Sequence, residues 1–158
     1  MKNTAVIEHE NQTLMHVLVV EDEKLMNWSL ERFLTAWGFD VRPVFSGKEA
    51  VDTVQKSGFD VILLDYQLPD LNGLEVARQI RRTRPRAWIL LITAFQLGEL
   101  KLDDGLIDGY LNKPVDMQQL RQTLRCFAEM ETKARGTGVP PVGNEDLTWD
   151  PGRPRGKT

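Results

Sequence analysis

Cysteine is almost missing from this chain: Cys126 is the single thiol in 158 residues. An internal disulfide is impossible and a cysteine zinc site is excluded. A reducing compartment, the cytoplasm, is the expected location. Long apolar runs are missing too. The longest, residues 61–64 and 88–92, fall far short of the roughly 20 residues that cross a bilayer, so no membrane partner is expected. The first 14 residues carry Glu8, His9, Glu10 and Asn11, and no apolar core of the kind a signal peptide needs. Positive charge is not in excess. The formal net charge is −3, which argues against a general nucleic-acid binder. Histidine is limited to His9 and His16, one in a polar leader and one opening an apolar run, so neither is a candidate ligand or phosphorylation site.

What the chain does have is alternation. Residues 1–14 read as a flexible arm, residues 15–132 as one α/β domain, and residues 133–158 as a disordered tail. From Gly136 onward 9 of 23 residues are glycine or proline, with no helical or strand period, a composition that does not offset the entropy of ordering. In the middle part, residues 16–20 form a short β-branched run. Residues 24–36 then place Leu25, Met26, Leu30, Phe33 and Leu34 at helical spacing, and Gly38 stops the helix. Residues 41–45 make a weaker strand, which Pro43 assigns to a sheet edge. Ser46 caps a second helix with Ala50, Val51 and Val54 on its apolar face. Strands at 61–64, 88–92 and 109–111 follow. A helix over 73–84 lies between the first two of these, and a last amphipathic helix is marked by Met117, Leu120, Leu124 and Phe127.

Strands that are apolar on both faces belong to a parallel sheet covered by helices on both sides. The expected architecture is a doubly wound five-stranded parallel sheet of order 2-1-3-4-5, in which ligands bind at the carboxyl ends of the strands. Those ends carry Glu21, Asp22 and Glu23 after the first strand, Asp65 after the third, Thr93 after the fourth and Lys113 after the fifth. Each alone is ordinary loop chemistry; an acidic residue after a strand is commonly a turn or a cap. Together they are a set of carboxylates, a hydroxyl and an ammonium at one sheet edge. Clustered carboxylates repel one another, and a hard divalent cation such as Mg²⁺ resolves that repulsion. A carboxylate can also act as a nucleophile toward phosphorus.

The stretches VVEDE, LLDYQLPDLNGLE, LLITA and GYLNKP, in this order, resemble the receiver domains of bacterial two-component response regulators, over about residues 16–130. The resemblance implies the flavodoxin-like receiver fold, with Asp65 as phospho-acceptor and Lys113 as the phosphate-contacting lysine. Asp22 and Asp65 are then Mg²⁺ ligands with the backbone carbonyl of Gln67, and Glu21 acts through water. Thr93 and Tyr110 are the switch pair: Thr93 hydrogen-bonds the new phosphoryl oxygens and Tyr110 turns inward. A cis peptide is expected before Pro114, and Pro69 and Gly73 mark the turn and helix entry after the acceptor. The implied function is Mg²⁺-dependent phosphoryl transfer from a histidine kinase or phosphotransfer protein, which switches a surface that binds a protein target. Such a domain is not an enzyme beyond its own phosphorylation and slow dephosphorylation.

Two further expectations concern output. Only a glycine/proline-rich tail follows the domain, so a stand-alone regulator is expected and DNA binding is not. The alternative is a DNA-binding transcriptional regulator without its effector domain. A hydrolase using Asp65 as nucleophile is disfavoured because position 67 is glutamine rather than a second carboxylate. The interval from Thr93 to Lys113, 20 positions, is short for the resemblance, and its residues Gly98, Asp103, Asp104 and Gly105 oppose a helix. A short or irregular segment is therefore expected over 96–108. Phe95, two positions after Thr93, is placed to shield the acceptor from water.

Overall fold

A computed structural model describes residues 14–134. The arm expected over 1–14 and the tail expected over 133–158 lie outside these residues except at their inner ends. Five strands, β1 (His16–Val20), β2 (Asp40–Val44), β3 (Val61–Asp65), β4 (Trp88–Thr93) and β5 (Gly109–Asn112), form one parallel sheet of order β2-β1-β3-β4-β5. The helices are α1 (Lys24–Ala36), α2 (Gly47–Lys56), α3 (Gly73–Thr83) and α4 (Met117–Ala134). The boundary expected at residue 132 falls inside the last turn of α4.

Strand periodicity divides the apolar residues between two cores. Val17, Val19, Val61, Leu63, Leu90 and Ile92 face α1 and α4, meeting Leu30, Leu34, Leu120, Leu124 and Phe127. Leu18, Val20, Ile62, Leu64, Ile89 and Leu91 face α2 and α3, meeting Ala50, Val54, Val76, Ala77 and Ile80. Each such fully buried aliphatic side chain contributes about 1.5–3 kcal/mol. Pro43 does lie in an edge strand, which spans Asp40–Val44, one residue earlier than expected.

Helix ends follow local chemistry. At the end of α1, Gly38 takes φ +93°, the Phe39 N–H donates to the Leu34 carbonyl and the Gly38 N–H to that of Thr35, a Schellman closure. Ser46 caps α2 by accepting the Glu49 N–H at 3.2 Å. The face of α1 differs from expectation. Leu25 and Phe33 are exposed, and Asn27 is fully buried in their stead. Its amide donates to the carbonyls of Glu21 and Val44, both at 2.8 Å, so a polar residue takes a core-facing position in order to tie β1 to β2.

Between β4 and β5 the described residues contain no α-helix, only a 3-10 turn at Leu97–Glu99. A tight turn follows, closed by the Leu106 N–H on the Asp103 carbonyl, with Gly105 at φ +75°. The segment is nonetheless anchored. Arg81 of α3 donates to the carbonyls of Leu106 and Ala87 and to the Asp108 carboxylate at 2.6 Å, and Arg78 pairs with Asp103 at 2.9 Å.

Candidate functional site

The parallel sheet brings the carboxyl ends of β1, β3, β4 and β5 to one edge, and the site is assembled there. Asp65 closes β3 and Glu21 follows β1; each is 2% exposed, whereas Asp22 is open to solvent. Carboxylate oxygens of Glu21, Asp22 and Asp65 all lie within 4.8 Å of one another. The Lys113 ammonium reaches Asp65 Oδ2 at 3.1 Å and Glu21 Oε2 at 3.5 Å. The Gln67 N–H approaches Asp65 Oδ1 at 3.3 Å. Thr93 is buried at the end of β4, in register with Asn112. Tyr110 is half-buried in β5 against the α2–α3 core. The Lys113–Pro114 peptide is cis, as expected.

The electrostatics are strained in a way that fits a cation. Burial, with the charge of Asp65 adding to it, pushes the Glu21 carboxyl up to about 7, against the pull of the Glu23 N–H and the Lys113 ammonium. Its Oε2 is buried without a hydrogen bond, having only the longer ion pair to Lys113. Burial pulls Lys113 down, but the hydrogen bond and charge of Asp65, with the charge of Glu21, outweigh it and leave its pKa raised. Two buried carboxylates and one lysine therefore share too little positive charge. An orphaned carboxylate oxygen beside two other carboxylates, all hard donors, fits Mg²⁺.

Glu21, Asp22, Asp65, Gln67, Thr93 and Lys113 lie on this edge, with Tyr110 set back along β5. Sequence reasoning named Gly73 only as the helix entry and missed the other residues that hold the edge in place. Gly73 packs so closely that an added Cβ would stand 2.7 Å from the Asp65 carbonyl, and its N–H donates to the Tyr66 carbonyl. Asp70 accepts the N–H groups of Gly47 and Lys48 at the head of α2, both at 2.8 Å. Burial pushes its carboxyl up, but these N–H donors, with that of Leu71, outweigh it and hold the pKa low. Asn72 and Glu75 form a capping box on α3, a signal readable in the stretch NGLE. Asn27 and Asn112 left no comparable local signal.

The chain matches the response regulator receiver domain family over residues 17–125 and belongs to it. Its place is thus in phosphorelay signalling by two-component systems. It is 34% identical to response regulator MprA of Mycobacterium sp. strain KMS over 140 residues, covering 87% of this chain and 60% of that protein. It is also 34% identical to the transcriptional regulatory protein TcrA of Mycobacterium tuberculosis over 143 residues, covering 89% and 55%. The chain therefore spans little more than half the length of these curated relatives. Among solved structures it resembles a CheY-like receiver domain of Methylobacillus flagellatus, with a TM-score of 0.67, 28% identity, and coverage of 73% of this chain and 99% of that one. The response regulator TrrA of Thermotoga maritima, solved in complex with Mg²⁺ and BeF, matches with a TM-score of 0.67 at 28% identity over 72% and 99%. Among the described residues no helix is long and apolar enough to cross a membrane.

Proposed function

We propose that Asp65 is the phospho-acceptor of this receiver domain. The observation that carries the reading is its buried carboxylate, paired with Lys113 at 3.1 Å and grouped with Glu21 and Asp22. One Asp65 oxygen attacks the phosphorus of a phosphohistidine on a histidine kinase or phosphotransfer protein. The P–N bond breaks, the histidine leaves with its electron pair, and an acyl phosphate remains. Lys113, freed from its pairing with the bare carboxylate, holds a phosphoryl oxygen, and the Thr93 hydroxyl donates to another. Asp22, Asp65 and the Gln67 carbonyl would hold Mg²⁺, with Glu21 acting through water; when bound, the cation would neutralise charge on the transferred group. Thr93 and Tyr110 relay the response to the new charge to the β4–β5 side as a shift between two populations. The domain catalyses nothing beyond its own phosphorylation and slow dephosphorylation.

Incubation with acetyl phosphate and Mg²⁺ should add one phosphoryl mass, localised to Asp65, and chelation should abolish it. Undiminished labelling of Asp65→Asn would falsify the assignment. Output through a protein-binding surface is the reading favoured by the weak net charge. A second reading, receiver of a DNA-binding regulator, draws on the naming of TcrA as a transcriptional regulator. Titrating fluorescent duplex DNA with the phosphorylated chain separates them: sequence-specific binding that survives excess competitor duplex would favour the second.

A further inference from the structure

Thr93 ends β4 and Phe95 follows it with no α-helix to hold the turn, yet both polar groups of the Phe95 backbone are engaged. Its N–H donates to Thr93 Oγ1 at 3.0 Å, and its carbonyl accepts the Asn112 amide at 2.9 Å. The same amide reaches the Thr93 carbonyl at 3.4 Å, which also accepts the Lys113 N–H at 2.9 Å. The Phe95 ring meets Tyr66, the neighbour of Asp65, edge-on with centroids 5.4 Å apart. One side chain of β5, reaching back 17 positions, thus closes the turn that carries a site hydroxyl and the aromatic rim.

We propose that Asn112 is a positioning residue for the acyl phosphate: through the Phe95 carbonyl it fixes the Thr93 hydroxyl and the Phe95 ring at the rim of the Asp65 site. The inference rests on Asp65 being the acceptor. Loss of the phosphoryl group requires water to bond to phosphorus while the bond between phosphorus and the Asp65 oxygen breaks. Asp65 returns as carboxylate, and the water proton not kept by inorganic phosphate passes to solvent. A ring held over the rim narrows the path of that water, and Asn112 sets how firmly the ring is held. The residue is half-buried, so its replacement leaves the sheet core intact.

The test compares the full chain with Asn112→Leu, which keeps the volume without the donor, Asn112→Gln, which keeps an amide, Phe95→Ala, and the Asn112→Leu/Phe95→Ala pair. Each is labelled with acetyl phosphate and Mg²⁺, freed of donor, and followed by intact mass; thermal melting is recorded beside it. Asn112→Leu should shorten the acyl-phosphate half-life severalfold with little change in melting, Asn112→Gln should recover most of it, and the pair should lose less than the product of the two single effects. A half-life for Asn112→Leu equal to the wild type, or effects of the two sites that multiply, would overturn the proposal while leaving Asp65 as acceptor. A wild-type chain that takes no phosphoryl group would overturn both.

Discussion

From β2 to α3 the backbone is finished mostly by near neighbours in the chain; from β4 to β5 it is finished mostly by side chains from further away. In the first region Ser46 caps α2, Glu49 accepts the Phe45 N–H at 2.9 Å, and Asn72 and Glu75 close α3, with one longer reach from Asp70 to the N–H groups of Gly47 and Lys48. In the second, among the described residues, one 3-10 turn and one tight turn are the only regular local structure. Its order depends on Arg78 and Arg81, 25–27 positions away, and on Asn112. Many small local terms make the first region tolerant of any single loss. Few long-range terms make the second one cooperative, so one side chain can release all of it. That is a suitable construction for the side of the domain proposed to change shape while Asp65 stays in place.

The largest effect expected from this contrast lies at Arg81. Its guanidinium is mostly buried, and it serves three backbone carbonyls and the Asp108 carboxylate, which in turn accepts the Ile89 N–H at 2.8 Å. Removing one partner of such a pair leaves the other charge buried and alone, at a cost of about 3–5 kcal/mol. Arg81→Ala should lower stability by that order in urea unfolding and strip amide protection from residues 100–108 before residues 61–64. A loss under about 1 kcal/mol, the scale of an exposed ion pair, would show that the segment is held by its apolar residues instead.

The acceptor side should respond to pH instead. Burial raises the Glu21 carboxyl from 4.5 to about 7 in the folded chain. With a raised folded pKa, the group's contribution to stability is fully present below about 4.5. It is lost as pH rises to 7, because over that window the unfolded chain has given up a proton that the folded chain retains. Measured against Glu21→Gln, metal-free wild type should therefore lose melting temperature between pH 4.5 and 7.5. Mg²⁺ should restore it at the upper end and bind more weakly as pH falls through 7, since the proton must leave first. Parallel curves for the two proteins would place the strain elsewhere.

A smaller effect is expected at Gly73, where the helix start presses on the acceptor loop. A Cβ there would meet the Asp65 carbonyl at 2.7 Å and the Tyr66 Cα at 2.8 Å, both backbone atoms that cannot swing aside. Gly73→Ala should cost about 1–3 kcal/mol, as overpacking does, and slow labelling of Asp65 by shifting the strand end that carries it. Stability lost with labelling unchanged would separate the packing of α3 from the geometry of the site.

Much of this was legible in the sequence because it is written locally. Apolar runs such as VILLD and WILLIT mark buried parallel strands, and the residues after them fall at one edge as a consequence of topology, so Glu21, Asp65, Thr93 and Lys113 converge without any knowledge of distances. Gly98, Asp103, Asp104 and Gly105, with the short interval from Thr93 to Lys113, pointed to the irregular segment by propensity and length. The face of α1 was misjudged because spacing rules count apolar residues, and the buried position belongs to Asn27, whose partners lie 6 and 17 positions away. Arg81 and Asn112 were silent for the same reason. A long-range polar contact leaves no period in the sequence, and exposed and buried arginines look alike there.

The smallest effect tests the tolerant half directly. Asn72 accepts the Glu75 N–H at 3.0 Å while Glu75 Oε2 accepts the Asn72 N–H at 3.1 Å, so one box satisfies two orphan donors at the head of α3. Replacing an N-cap asparagine by alanine costs about 0.5–2 kcal/mol, and the Gly73 N–H remains held by the Tyr66 carbonyl at 2.7 Å, so the helix start is anchored from a second side. Asn72→Ala should therefore fall near 1 kcal/mol in urea unfolding, with labelling of Asp65 within about twofold of the wild type. If α3 instead frays and labelling collapses, the caps of this region act together rather than singly. The contrast with the β4–β5 side would then be one of range in the chain, not of cooperativity.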